Sequence, residues 1–419
     1  MARGRTAEPI EGRGLKICVS KLEHLRKAAL EQTYVSLGGR RTDSVHEFYR
    51  YPARFTPWFA RAAIEAFSSP GDLVIDPFCG GGTTAVEAQL TGRTAIAADI
   101  NQLATFVTLA KTTLYGNNDL ELAREFANEA EDLRLRSVCR GDAELEPYWY
   151  NISGTAEWRI RDLINSAISL ADEIDNNTAV QLVRCALLRT GQWALDMRRN
   201  VPSVADFRLQ LSNNVRAMAW AAMHHRHSVE AVISDAKAVT VVQEGLPGAA
   251  EHDALHKSEA PRLILTSPPY ASTYVNYHRW KVRSRRETAA PFWIAGRLDG
   301  HGISHYTLGA SGTDSDERYF REVKRVFAAL VSLMSDETWL VQVVGFKKGE
   351  AQLDQYLNTM RSIGLEEVLF PSLSTELDGR LWRRIPSRRW WVSAEAMKAQ
   401  GNGTINEVVL IHRRIAGGP

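Results

Sequence analysis

Apolar positions along the chain follow helical and strand periods in alternating blocks. Phe59, Ala63, Ile64 and Phe67 recur at helical spacing, and Ser69-Pro70-Gly71-Asp72 then forms a turn. Leu73-Val74-Ile75 predicts a short strand ending at Asp76, followed by DPFCGGGTT and a helical pattern from Thr83 to Leu90. A second strand, Thr94 to Ala98, ends at Asp99, and another helix begins near Asn101. Two strand-loop-helix units in succession predict a doubly wound parallel α/β sheet.

From about Asn118 to Met223 strand signals are sparse. Trp158, Leu163, Ile168, Leu170, Val180, Val183 and Leu187 are spaced as in charged amphipathic helices. Strand character returns over Ala231-Val232-Ile233-Ser234-Asp235 and over Arg262 to Thr266. A helix over Asp316 to Leu333, a strand over Trp339 to Val344, a helix over Leu353 to Ile363, and strands over Leu365 to Phe370 and Glu407 to His412 complete the pattern. About seven strands result, with an antiparallel pair at the C-terminal end. The expected organisation is an arm (1–44), a first sheet segment (45–117), a helical insertion (118–229) serving as target-recognition region or lid, and a second sheet segment (230–419).

The 419 residues, 44% hydrophobic, suffice for one large core plus an insertion. Fifty-one Lys and Arg against 49 Asp and Glu leave a net charge of +2, so a polyanionic partner must be argued from local clusters. Cys18, Cys79, Cys139 and Cys185 have neither zinc-ligand nor disulfide-framework spacing. No metal is expected, and with no signal-like or membrane-spanning apolar run the reading is a cytoplasmic protein without a membrane partner.

Two loops carry the candidate chemistry. Ligands of open parallel sheets bind at the carboxyl ends of the strands, where glycines admit a cofactor to backbone amides. Gly80, Gly81 and Gly82 stand in that position, and Asp99, ending the next strand, suits ribose hydroxyls. No Gly-Lys-Ser/Thr follows, which disfavours nucleoside triphosphates. The second loop, Thr266-Ser267-Pro268-Pro269-Tyr270, ends a strand with two prolines that hold the backbone rigid. Ser267 and the Pro268 carbonyl offer acceptors to an amino group, and Tyr270 offers a flat face for a base.

DPFCGGGTT and TSPPY together resemble the cofactor and catalytic loops of the SPPY-type amino-methyltransferases, the DNA N4-cytosine and N6-adenine enzymes. YPARFTPWFARAAIEAFSSPGDLVIDPF resembles the family's methionine-side element, and RLWRRIPSRRWWVSA with NEVVLIHRR its closing region. The resemblance covers roughly residues 45–115 and 230–413. It differs from many SPPY enzymes in placing the cofactor loop first, a circular rearrangement of the same sheet also similar to some RNA methyltransferases. It implies a Rossmann-like class I fold, S-adenosylmethionine as cofactor, and methylation of an exocyclic amino group on a base rotated out of DNA, N4 of cytosine foremost. N6-adenine, RNA, and a non-catalytic cofactor- and nucleic-acid-binding module stay open. By the same resemblance Phe55, Pro57, Asp76, Phe78, Gly80, Gly82 and Thr83 line the methionine end, Asp99 holds the ribose, Ile100 packs on the adenine and Asp235 bonds its amino group. Ser267, Pro268, Pro269 and Tyr270 are the catalytic set. Cys79 is excluded as a nucleophile, because the Pro-Cys loop of carbon-5 methylation is absent.

Basic residues interleaved with aromatics suit phosphates and stacked bases. One cluster follows the catalytic loop: Arg279, Lys281, Arg283, Arg285 and Arg286 among Tyr274, Tyr277, His278 and Trp280. The other holds Arg380, Arg383, Arg384, Arg388 and Arg389 among Trp382, Trp390 and Trp391. The length leaves no room for a nuclease domain, so a restriction or defence partner is expected to be a separate chain.

Overall fold

The structure is a computed structural model. It describes residues 17–30, 44–51, 56–135, 146–149, 151–232 without 153, 155 and 156, 239–242, 259–271, 280–296 without 284 and 285, 308, 315–346, 349–376, 378–385 and 405–415.

Eight strands form the main sheet. These are β1 (Leu73–Asp76), β2 (Thr94–Ala98), β3 (Val239–Val242), β4 (Leu263–Thr266), β7 (Trp339–Gly345), β8 (Leu365–Glu367), β9 (Leu381–Ile385) and β10 (Ile405–Arg414). Their order is β3-β2-β1-β4-β7-β10-β8, with β9 also paired to β10. β1 to β4 and β7 pair in parallel, while β10 runs antiparallel to β7, β8 and β9. The order reverses between β1 and β4, so the crevice at the carboxyl ends of those two strands is the expected ligand site.

Alternate strand residues face opposite layers. Val74, Ala95, Leu263, Val341 and Val409 join a core with α1 (Val19–Leu30) and α2 (Pro57–Phe67). Ile75, Ile96, Ile264, Leu340 and Leu410 join another with α11 (Ser315–Val331) and α12 (Glu350–Ser362). Helix α2 starts where Thr56 Oγ1 accepts a hydrogen bond from Phe59 N (3.3 Å), with Pro57 in its first turn, and it buries Phe59, Ala63, Ile64 and Phe67. Helix α1, which the sequence places in an arm, buries Leu22, Leu25 and Ala29 against this core and is part of the fold.

α3 (Thr83–Leu90) and α4 (Gln102–Thr112) follow β1 and β2. Beyond them come α5 (Asn117–Ala130), α6 (Glu146–Trp149), α7 (Glu157–Ala171), α8 (Asn177–Leu195) and α9 (Val204–Glu230). These helices share one core with α4, with the 45–51 segment, with the hairpin of β5 (Trp280–Val282) and β6 (Arg286–Thr288), and with α10 (Ala290–Ile294). Trp280 lies so close to Gly191 of α8 that a Cβ there would meet its ring at 2.6 Å.

The third strand lies later than the sequence pattern predicts. Ala231 caps α9 and Val232 turns away from it, whereas the strand is Val239–Val242, an unbroken β-branched run paired to β2. Asp235 lies outside the described residues.

Candidate active site

The glycine loop and the TSPPY loop meet at the reversal point. Asp76 closes β1 and is buried; its Oδ1 accepts hydrogen bonds from Phe78 N (3.2 Å) and from Thr266 Oγ1 (2.8 Å) at the end of β4. Burial raises the Asp76 carboxyl to about 6, against the pull of these hydrogen bonds. Phe78 is half-buried, its ring 6.4 Å from that of Phe327.

The glycines are required by conformation and by space. Gly80 and Gly82 have φ of +49° and +75°, where side chains are strained. A Cβ on Gly81 would meet Tyr51 Cβ at 2.8 Å, and one on Gly82 would meet Thr108 Oγ1 at 2.8 Å. Lys111 of α4, fully buried, donates from Nζ to the Gly81 carbonyl (2.7 Å). Tyr51 and Lys111 are functional candidates the sequence reading did not single out. Nothing local marks them, because their partners lie about thirty residues away.

Asp99 accepts from Gly80 N (2.9 Å) with one oxygen and from Asn101 N (2.8 Å) with the other. Burial raises it to about 6; the two amides oppose that shift and the charge of Asp76 adds to it. Each carboxylate oxygen has a second lone pair, so acceptors are left for ribose hydroxyls. Next to it Ile100 stands half exposed, free to pack on a flat ring. Asn101 caps α4 and also donates to the Tyr51 hydroxyl (2.8 Å). Thr83 Oγ1, at the start of α3, is buried with no hydrogen-bond partner among the described residues, as expected where a polar ligand completes the site. Pro57 is half-buried at the head of α2, and Phe55 lies outside the described residues.

In the second loop Ser267 Oγ donates to the Val343 carbonyl (3.0 Å). That bond uses the only hydroxyl proton and leaves the serine lone pairs for an incoming amino group. Pro268 is buried and Pro269 half-buried. Tyr270 donates from its hydroxyl to Glu407 Oε1 on β10 (2.8 Å), a partner the sequence reading did not foresee. Cys79 is buried, its thiol raised well above its usual range chiefly by burial, and so is inert as a nucleophile.

Three arginines of the basic clusters are paired with carboxylates of the protein. Arg283 is held by the buried Glu157 carboxylate, with Nη2 3.0 Å from Oε2. Arg380 grips Glu367 in a bidentate pair, both contacts 2.8 Å, and Arg383 is buried beside Glu407. Trp280 is buried, donating to the Tyr49 hydroxyl (3.0 Å), and Trp382 donates to Asp378 (2.7 Å). Lys281 is half-buried, its backbone joined to Asp196 and Met197. Arg286 and Arg384 lie on β6 and β9. Arg279, Arg285, Arg388 and Arg389 lie outside the described residues. Among the described residues no group of side chains could hold a metal, and no helix is long and apolar enough to cross a membrane.

Residues 22–110 match a family described as DNA methylase. The chain is 32% identical over 93 residues to type II methyltransferase M.BsoBI of Geobacillus stearothermophilus, covering 22% of this chain and 18% of that one. It is 32% identical over 108 residues to a tRNA (guanine(10)-N2)-dimethyltransferase of Methanothermobacter thermautotrophicus, covering 26% and 31%. Type II methyltransferase M.MjaII of Methanocaldococcus jannaschii is 32% identical over 75 residues, covering 18% and 14%. The chain thus spans less than a third of each of these relatives. Among solved structures, an rRNA methyltransferase aviRa from Streptomyces viridochromogenes aligns over 87% of this chain and 88% of its own, at 10% identity and a TM-score of 0.31.

Strand order and the two loops define a Rossmann-like class I methyltransferase fold. The matched segment is similar to the N6/N4 amino-methyltransferases, and that likeness implies S-adenosylmethionine as the methyl donor.

Proposed function

We propose that this protein methylates an exocyclic amino group on a base extruded from DNA, with N4 of cytosine as the target. The observation that carries the reading is the hydrogen bond from Thr266 to Asp76, which brings the TSPPY loop to the glycine loop. Bound S-adenosylmethionine supplies an electrophilic methyl group on a sulfonium sulfur. Asp99, Ile100 and Thr83 would hold it at the ends of β1 and β2, with Pro57, Phe78 and the loop glycines beside it. Ser267 Oγ and the Pro268 carbonyl would accept the amino hydrogens and orient the nitrogen lone pair, while Tyr270 would stack on the base; as the N–C bond forms the methyl–sulfur bond would break to leave a neutral thioether, and one amino proton would pass to water. Catalysis by these residues is mainly alignment.

Arg279, Lys281, Arg285, Arg286, Arg384, Arg388 and Arg389 are the proposed contacts to the phosphate backbone. The family description, DNA methylase, supports DNA as the substrate. The tRNA relative supports a second reading, amino methylation of RNA by the same geometry.

Incubation with tritiated S-adenosylmethionine and unmethylated DNA or RNA, followed by digestion to nucleosides, tests the proposal. N4-methylcytosine is expected. Label in N6-methyladenine corrects the base, and label from RNA alone corrects the substrate. No label with intact cofactor binding would favour a non-catalytic module and sink the enzyme reading.

A further inference from the structure

We infer that Glu407 is a positioning residue for Tyr270, fixing where its ring lies for the base, and that Arg383 ties this anchor to helix α2. The inference rests on the amino-methylation reading of the TSPPY loop. In the sheet, β10 sets Glu407 opposite Gly345 of β7 on one side and opposite Arg383 of β9 on the other. The Tyr270 hydroxyl donates to Glu407 Oε1 at 2.8 Å, and Glu407 Oε2 lies 3.8 Å from Arg383 Nε. The Glu407 and Arg383 side chains are only 8% and 3% exposed. The Arg383 guanidinium carbon stands 5.2 Å from the ring centre of Phe59, a buried residue of α2. One continuous set of contacts therefore runs from α2 through β9 and β10 to the catalytic loop.

A carboxylate withdrawn from water is strongly unfavourable unless charge and hydrogen bonds offset its desolvation. Arg383 supplies the charge and Tyr270 the hydrogen bond. For Tyr270 the effect is geometric, because a phenol anchored at its far end loses the freedom to swing its ring. A stacking platform must be set before the base arrives. Burial first, and the Glu407 charge second, hold the phenol well above its usual range, so the hydroxyl remains a donor. Ser267, 3.5 Å from the same hydroxyl, already donates to Val343 and does not replace the anchor.

The test compares wild type with Tyr270→Phe, Glu407→Gln, Glu407→Leu and the Tyr270→Phe/Glu407→Leu double variant. Methyl transfer to unmethylated DNA or RNA is measured, together with hydrogen–deuterium exchange over residues 263–271. Phe and Leu each break the bond, while Gln keeps an acceptor in place. The expected kcat loss is roughly ten- to hundredfold in Tyr270→Phe and in Glu407→Leu. The double variant falls no further, and Glu407→Gln recovers most of the loss seen in Glu407→Leu. KM for S-adenosylmethionine stays within about twofold, and the 263–271 segment exchanges faster in Glu407→Leu than in Glu407→Gln. Additive losses, undiminished kcat in Glu407→Leu, or equal damage from Gln and Leu would overturn the inference. If Glu407→Leu does not fold, kcat lost in Tyr270→Phe but kept in Glu407→Gln supports the anchor, and the reverse overturns it. If the wild type labels neither DNA nor RNA, the methylation reading fails on its own. The exchange comparison then decides the anchor, and equal exchange in the two Glu407 variants overturns it.

Discussion

Thr266 Oγ1 donates a 2.8 Å hydrogen bond to Asp76 Oδ1, joining residues 190 positions apart at the ends of adjacent strands. Both side chains are buried, so the bond works in a low-dielectric setting where leaving a carboxylate under-satisfied is costly. Replacing Thr266 with Val keeps the shape and removes the donor. Stability at neutral pH should fall by about 1.5–3 kcal/mol, and S-adenosylmethionine affinity should fall with it. Urea unfolding and calorimetric titration check this; unchanged values for both would show that the bond carries no weight.

Asp76 holds its proton to about pH 6 when folded, against 3.8 in the unfolded chain. As pH rises between those values the unfolded state loses its proton first, so stability declines, by about 3 kcal/mol from this group. Below that window the proton is bound in both states and above it in neither, so the contribution is level outside it. Asp76→Asn should therefore lose stability less steeply than wild type between pH 4 and 6. Parallel slopes in urea unfolding at stepped pH would refute the assignment.

Asp99 also titrates at about 6, and only its ionised form accepts fully from ribose hydroxyls. Cofactor affinity should rise as pH increases through this value, at most about tenfold per pH unit for one proton. The dependence should flatten in Asp99→Asn, which weakens binding throughout. A pH series of dissociation constants for both proteins settles the point.

Gly82 combines φ of +75° with Thr108 atoms 2.8–3.0 Å from where a Cβ would stand. Gly82→Ala must strain the backbone and push α4 away. We expect a loss of about 2–4 kcal/mol in stability and no measurable cofactor binding. Gly71, also at positive φ but with nothing within 4 Å, should accept alanine with a smaller loss and normal binding. Thermal melts and titrations distinguish the two.

Trp280 packs against Gly191 and donates to Tyr49, joining the hairpin and the helical region in one core. Trp280→Ala should cost about 3–5 kcal/mol in a single unfolding transition. A mild effect on folding with a large one on DNA binding would restore Trp280 to the nucleic-acid surface.

The two loops were legible because their constraints are local. Glycines at positive φ, a proline pair and an acidic residue ending each strand are all visible in short windows. Tyr51, Lys111, Asn101 and Glu407 were not, since each acts through a partner brought near only by the fold. The carboxylate partners of the arginines were hidden for the same reason: Arg380 is visible as a charge, but Glu367 beside it is not. The third strand was misplaced because Ala231-Val232-Ile233 is apolar enough for a strand end or a helix exit. The β-branched run at Val239 was the better signal.

β10 comes after the other described strands in chain order yet sits inside the sheet, between β7 and β8. During synthesis β8 has no neighbour on its inner side until this strand emerges, and Tyr270 has no carboxylate to receive its hydroxyl. The TSPPY loop thus cannot gain its contact with Glu407 on the ribosome before β10 has emerged. A ribosome stalled before Ile405 would hold a glycine loop beside a TSPPY loop that still lacks Glu407.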